Sequence, residues 1–208
     1  MDNDRLLALL LESATLKQLP RSGWLLRGVP HVESVAEHSF GVAFTALALA
    51  DALQSSGNLE GKLDLEKVLA IALLHDLAEV RLTDLPLRAA RLLPAQVKSE
   101  AEASAMTGLL APLPSARRLA ALWQSFEDST SPEGRLVRDA DKLEMMIQCL
   151  TYEQAGSRGL DEFWQASDKR QWHYTLSDSL YGRLKTMRPP GARQETGRSD
   201  SACVVRDA

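Results

Sequence analysis

The sequence predicts an all-α fold, and three observations carry that expectation. Apolar residues recur at three- and four-residue spacing along most of the chain, the pattern of one helix face. No alternation of apolar and polar residues runs beyond a few positions, so strands are not expected. Pro, Gly, Ser and Asn gather between the periodic stretches, at Pro20, at Ser55-Ser56-Gly57-Asn58 and at Pro112 and Pro114, where they end helices.

The first helix is read from Leu6, Leu7, Leu10, Leu11 and Ala14, with Asn3-Asp4 as its cap region. Pro20 and Gly23 break it, and residues 21–32 are expected to be loop. Val35, Phe40, Val42, Phe44, Leu47 and Leu49 predict a largely buried helix over 34–53. Asp64 is placed to cap the next, over 65–79. Thr83-Asp84-Leu85-Pro86 then turns the chain. Further helices are expected over 95–110, 115–129 and 132–155, the last with Pro132 in its first turn. A Trp-bearing segment at 160–165 and a helix over 177–187 complete a single domain, residues 1–187. The Pro-, Gly- and Ser-rich stretch 188–208 reads as a disordered tail.

Composition narrows the function. A chain of 208 residues fits one domain and buries roughly 70% of its unfolded surface, so it needs no structural metal to fold. A metal here would serve chemistry. The net charge of −4 argues against a binder of nucleic-acid polymers or acidic membranes. Cys149 and Cys203 are the two cysteines and form no CxxC, which points to a reducing compartment. Met1-Asp2-Asn3-Asp4-Arg5 has no basic signal-peptide start, and the longest uncharged stretch, 39–50, is too short to span a bilayer. A soluble cytoplasmic protein is expected.

The chemistry centres on His75-Asp76, which closes the apolar run 68–74 and is followed by Glu79. Adjacent helical residues point about 100° apart, so both can hold one ion only if it lies close to the helix and other ligands complete its shell. His38 and Asp141 are the other candidates. Two imidazoles and two carboxylates suit a first-row divalent ion or Mg2+. Six-coordinate geometry would leave places for a water and a substrate oxygen. Glu79, at i+4 from His75 and i+3 from Asp76, is spaced to orient that water or take its proton, with Asp84 as a second carboxylate.

Taken singly, these signals have plainer readings. His38 alone would be a satisfied core histidine, and Asp141-Lys142 an exposed pair. Asp139 and Glu144 read as a solvated face, and Glu37 fits either reading. His31 and His173 are expected at the surface. Cys149 and Met145-Met146 read as packing, and Trp123, Trp164 and Trp172 as anchors.

Together the residues resemble a family. Glu37-His38, His75-Asp76 and Asp141 resemble the HD-domain metal-dependent phosphohydrolases, and the closer likeness is to their 5′-deoxynucleotidase branch. It is carried by Arg21-Ser22-Gly23-Trp24 with Arg27, Glu33-Ser34-Val35-Ala36-Glu37-His38-Ser39, Leu74-His75-Asp76-Leu77-Ala78-Glu79, Thr83-Asp84-Leu85-Pro86 and Val137-Arg138-Asp139-Ala140-Asp141-Lys142-Leu143-Glu144-Met145. The resemblance implies a helical HD domain around one divalent ion (Co2+, Mn2+, Mg2+, Zn2+ or Ni2+), held by His38, His75, Asp76 and Asp141. It implies a homodimer that hydrolyses nucleoside 5′-monophosphates, preferably 2′-deoxy, to nucleoside and phosphate. Glu79 and Asp84 would be the catalytic carboxylates, and Arg21 and Trp24 the phosphate and sugar contacts.

Two departures stand out. Bacterial deoxynucleotidases of this kind have the Arg and Trp adjacent, while Ser22-Gly23 separates them here. A Gly is also common where this chain has Thr83. Alarmone hydrolases fit less well, because Val80 follows Glu79, and two-metal HD phosphodiesterases need more histidines. The alternative is an HD protein that binds metal in a regulatory or scaffold role without turnover; Glu79 and Asp84 argue against it, since holding a metal does not require them.

Overall fold

A computed structural model describes residues 2–57 and 61–192, and among these the regular structure is helical, with one isolated bridge pairing Pro20 and Ser34. Local capping sets the starts of the principal helices. Asp2, rather than Asn3-Asp4, caps α1 (Asn3–Ser13) by accepting the N–H groups of Asp4 and Arg5. Ser34 and Glu37 form a capping box at the start of α3 (Val35–Ser56), which settles Glu37 as a helix-start residue. Asp64 caps α4 (Leu65–Leu74) and Pro132 stands in the first turn of α9 (Pro132–Gln154), both as the sequence indicated, while the cap of α9 is Ser131.

α3 and α9 pack along each other, and α4 lies against both. Their shared core holds Val42, Ala46 and Leu49 of α3, Val68 and Ile71 of α4, and Leu136, Leu143, Met146 and Cys149 of α9. A second cluster joins the end of α4, with Leu74, to Met106 and Leu110 of α7 (Ala95–Leu110) and Trp123 of α8 (Ala116–Glu127). Trp164 on α10 (Asp161–Asp168) and Tyr181 on α11 (Thr175–Thr186) close the core beside α9. None of the described helices is long and apolar enough to cross a membrane.

Several expectations are corrected. The helix expected over 65–79 ends at Leu74. The Ala72 carbonyl, which a continuing α-helix would offer to the N–H of Asp76, meets His75 Nδ1 at 2.7 Å. Tighter three-residue bonds follow, from Leu77 to Leu74 and from Glu79 to Asp76. Glu79 therefore opens a separate short helix, α5 (Glu79–Leu82). Two other single-turn pieces, α2 (Ser22–Leu25) and α6 (Leu87–Ala90), fall where loop or turn was expected, so Gly23 does not break the chain there.

The helix α3 is not buried all round. Its Val42 face is, but Phe40 is 73% and Phe44 65% exposed, and Leu47 also faces outward. Hydrophobicity on both sides of α3 hid which side meets α4 and α9.

Thr83 adopts φ 64° and ψ 166°, a backbone region that costs a β-branched residue about 1–3 kcal/mol. Its turn leads into Asp84, which points inward and is buried.

Packing also runs past Met187, the expected end of the domain. Arg188 Nη2 lies 2.6 Å from Glu153 Oε1 and 3.0 Å from Asp161 Oδ1, and the guanidinium covers the Trp164 ring at 4.7 Å. Ala192 is buried as well. A lone Arg in a Pro- and Gly-rich stretch gives no sequence sign of a buried acid waiting for it. The remainder of the expected tail, 193–208, lies outside the described residues.

Candidate metal centre

Three helices converge on one point. α3 brings His38 one turn after its cap, the end of α4 brings His75 and Asp76, and the middle of α9 brings Asp141. One ligand atom from each of His38, His75 and Asp76 lies within 4.8 Å of the other two. His38 Nε2 is 3.4 Å from Asp141 Oδ1 and 3.6 Å from Asp76 Oδ2, and His75 Nε2 is 3.2 Å from Asp76 Oδ2. Breaking the helix at Leu74 resolves the problem that adjacent helical residues diverge, because both His75 and Asp76 reach the same side.

The rings are fixed from behind. His38 Nδ1 meets Glu144 Oε2 at 2.5 Å, and His75 Nδ1 donates to the Ala72 carbonyl. The edge of Phe126 packs on His75 with ring centroids 5.5 Å apart. Both Nε2 atoms then face the shared space, buried and without a hydrogen-bond partner among the described residues. Leaving a buried polar atom unpaired costs about 1–3 kcal/mol. Two such nitrogens beside two carboxylates are what a divalent cation would satisfy, and the mixed N/O donor set fits a first-row ion or Mg2+.

Electrostatics point the same way. Carboxylates of Asp76, Glu79, Asp84, Asp141 and Glu144 crowd the site, while its fixed cations are Arg21 and Lys142. Burial and Arg21 both push the His38 pKa down, yet Asp141, Glu144 and Asp76 outweigh them and raise it to about 9. The site thus calls for positive charge at this nitrogen. Burial would raise Asp76, but His75 and Arg21 hold it well below the usual carboxylate range. Asp141 is likewise held low against its burial, chiefly by Lys142 and His38. Glu79 goes the other way. Burial first, then the Asp76, Asp84 and Asp141 charges, push its carboxyl up to about 10 against the pull of Arg21, and its Oε2 has no partner among the described residues.

Arg21 reaches this group from the loop before α2. Its Nη1 is 3.1 Å from both Asp76 Oδ2 and Asp84 Oδ1. The Ser22 N–H donates to Asp84 Oδ2, and the Ser22 hydroxyl donates to the Asp84 carbonyl. Trp24, read from the sequence either as a wall at the sugar or as a plug of its loop onto the core, has its indole packed in the core at 2% exposure. It lies against Phe163 and Tyr152, with ring centroids 4.1 and 5.5 Å away. Its N–H donates to Glu33 Oε1 at 2.9 Å. The structure therefore brings His38, His75, Asp76, Asp141, Glu79, Asp84 and Arg21 together and sets Trp24 behind the loop that carries Arg21.

Residues 13–177 match the model of the HD domain family. The chain belongs to that family. It is 31% identical over 199 residues to 5′-deoxynucleotidase HDDC2 of Danio rerio, spanning 91% of this chain and 90% of that protein. It is 30% identical over 180 residues to 5′-deoxynucleotidase HDDC2 of Dictyostelium discoideum, spanning 83% and 93%. The PH0347 protein of Pyrococcus horikoshii superposes with a TM-score of 0.72 at 40% identity, covering 87% of this chain and 97% of its own.

Sequence reasoning missed three buried polar residues of this HD domain. Glu144, read as solvated face, is buried against His38. Its i+3 spacing from Asp141 put both on one face of α9, which was the available signal. Glu33 is buried too, with its pKa raised to about 6 by burial and by neighbouring Glu144. Asp139, also expected in solvent, is fully buried. It accepts the N–H groups of His173 and Tyr174 and faces Arg170, tying the segment before α11 to α9. His31 and His173 are exposed, as expected.

Proposed function

We propose that this HD domain is a metal-dependent phosphomonoesterase that hydrolyses nucleoside 5′-monophosphates, preferably 2′-deoxyribonucleotides, to nucleoside and phosphate. The observation that carries the reading is the pair of unpartnered Nε2 atoms on His38 and His75, set beside Arg21 and Glu79. Relatives spanning most of the chain and named 5′-deoxynucleotidases support the substrate class.

In this reading His38, His75, Asp76 and Asp141 hold one divalent ion, Co2+, Mn2+, Mg2+, Zn2+ or Ni2+. Such an ion, when bound, lowers the pKa of water and neutralises phosphate charge. Arg21 offers the planar guanidinium suited to a phosphate oxygen. The attacking water forms the new P–O bond and gives its proton to Glu79, whose ionised form the positive charge of a bound ion would favour against burial and the neighbouring carboxylates, and the P–O5′ bond breaks in line. The departing 5′-oxygen leaves as the nucleoside hydroxyl after protonation, in which Glu79 takes part. Asp84, the second carboxylate, keeps Arg21 aimed through its own bond and those to Ser22. Deoxy preference is assigned to the loop that Trp24 anchors. A role limited to holding metal gives no use for Glu79, whose Oε2 is buried and unpaired beside the site.

The domain works as a cytoplasmic homodimer in this proposal. Phe40, Phe44 and Leu47 lie along one exposed line of α3, and Ile147 is exposed on its packing partner α9; an apolar patch of this kind is characteristic of interaction surfaces. Cys149 is a buried free thiol, consistent with a reducing compartment.

Phosphate release from paired deoxy- and ribonucleoside monophosphates, measured with each of these ions in turn, tests the reading. Release from the deoxy substrates supports it. No release from any pair with any ion would refute it.

A further inference from the structure

We infer that Glu144, seated in a gap left open by Gly41, is the positioning residue that fixes the tautomer and orientation of His38. The inference rests on the proposed role of His38 as a metal ligand and extends it to two residues outside the ligand set.

A neutral imidazole carries one donor and one acceptor, and an ionised carboxylate only accepts. The 2.5 Å contact between Glu144 Oε2 and His38 Nδ1 therefore places a proton on Nδ1, so that a metal taking the place of the Nε2 proton would find that nitrogen's lone pair beside Asp76 and Asp141. Both side chains are buried, so water does not compete for the contact. His75 reaches the same tautomer through a neutral carbonyl, that of Ala72. The carboxylate partner does more, since it also makes the imidazole a stronger donor to a metal.

Gly41 makes this contact possible. It stands three residues after His38, within α3 and facing α9. A Cβ there would lie 2.6 Å from Glu144 Oε1, 2.8 Å from Cγ and 3.0 Å from Cδ. The whole carboxyl end occupies the space of the missing side chain, so a rotation of its tip alone would not clear an alanine. Glycine inside a helix costs about 0.5–1 kcal/mol relative to alanine, and the close approach of Glu144 gives that cost a purpose.

Ligand atoms of Glu33, His38 and Glu144 also lie within 4.8 Å of one another, which could suggest a second ion. That ion would need His38 Nδ1, already held by Glu144, and would turn the ring into an imidazolate bridging two metals. Glu33 Oε1 is committed to the Trp24 N–H. The cluster is better described as the support behind one ligand.

The test is Co2+ binding to the full chain, by chelator competition and by the visible absorption of the bound ion, alongside thermal melting. Glu144→Ala is expected to weaken Co2+ binding about 10–100-fold. Glu144→Gln keeps an acceptor oxygen for the Nδ1 proton, so it should recover part of that loss. Gly41→Ala should weaken binding in the wild-type background but add nothing to Glu144→Ala, because it acts only through Glu144. Wild-type affinity and an unchanged Co2+ spectrum in both Glu144 variants would overturn the inference, whatever happens to the melting temperature. Should Gly41→Ala fail to fold, the Glu144 pair decides alone. His38→Ala is the separate control. If it keeps wild-type Co2+ affinity, the ligand assignment falls and this inference with it.

Discussion

The Arg21 guanidinium and the Asp84 carboxylate are joined by adjacent bonds. Nη1 lies 3.1 Å from Oδ1, and the N–H of the next residue, Ser22, donates to Oδ2. The same Nη1 is 3.1 Å from Asp76, so one nitrogen links the loop before α2 to the end of α4. The side chain is thereby held in place before any phosphate arrives. Arg21→Ala should lower kcat/KM about tenfold to a hundredfold, the range for a hydrogen bond to a charged group. Deoxy and ribo substrates share the phosphate, so their ratio should not change. Arg21→Lys should recover little, because a point charge does not reproduce the fork. Unaltered kcat/KM in Arg21→Ala would remove the residue from phosphate binding.

Metal content should follow the convergent ligands. His75→Ala removes one of the two unpartnered Nε2 atoms, and Asp141→Ala removes the carboxylate 3.4 Å from the other. Each purified variant should lack both the ion and phosphatase activity. Near-stoichiometric metal in both by elemental analysis would defeat the assignment.

Much of the site was legible because metal chemistry needs rare residue types in places where packing prefers Leu and Ala. His75-Asp76 at the end of an apolar run announced itself, and Glu79 followed at helical spacing. The helix break after Leu74 did not, since it depends on the His75 ring taking the Ala72 carbonyl, a contact with no sequence signature. Glu144 and Asp139 were hidden by their charge. On average such residues face water, and only the packing of α3 and of the segment before α11 against α9 buries them. Phe40 and Phe44 erred in the opposite sense: hydrophobicity marked them as core, and the structure leaves them outside.

Glu79 should separate catalysis from metal binding. Its carboxyl is buried beside the proposed ligands, and Oε2 has no partner among the described residues. Glu79→Gln keeps the shape but cannot take a proton. We expect kcat to fall about 10²–10⁴-fold, the usual worth of a general base, with metal content unchanged. Wild-type turnover in this variant would eliminate Glu79 from the mechanism.

The chain beyond Met187 contributes to stability through Arg188. Its side chain is 7% exposed, and its partner Glu153 is fully buried and also accepts the Trp164 indole N–H. Removing one member of a buried pair leaves the other charge without compensation and costs about 3 kcal/mol or more. A chain ended at Met187 should therefore melt well below the full protein, while one ended at Ala192 should match it. Arg188→Ala should reproduce most of the difference. Equal melting temperatures for the two truncated chains would show that the contact carries no stability.

Trp24 gives the sharpest test of substrate preference. An enzyme that favours deoxyribose must make the 2′-hydroxyl costly, and stranding a hydroxyl without a partner costs ~1–3 kcal/mol, or about fivefold to 150-fold in relative kcat/KM. With its indole against Tyr152 and Phe163 and its N–H on Glu33, Trp24 anchors the loop that holds Arg21. Trp24→Ala would release that loop and should narrow the deoxy/ribo ratio while the metal stays bound. It also empties a core position, a loss of about 3–5 kcal/mol, so Trp24→Phe is the necessary companion. Phe keeps much of the packing on Tyr152 and Phe163 and loses the bond to Glu33. Its ratio should fall between those of the wild type and Trp24→Ala. The assignment fails if the wild-type enzyme treats both sugars alike, or if a clear preference survives unchanged in folded Trp24→Ala.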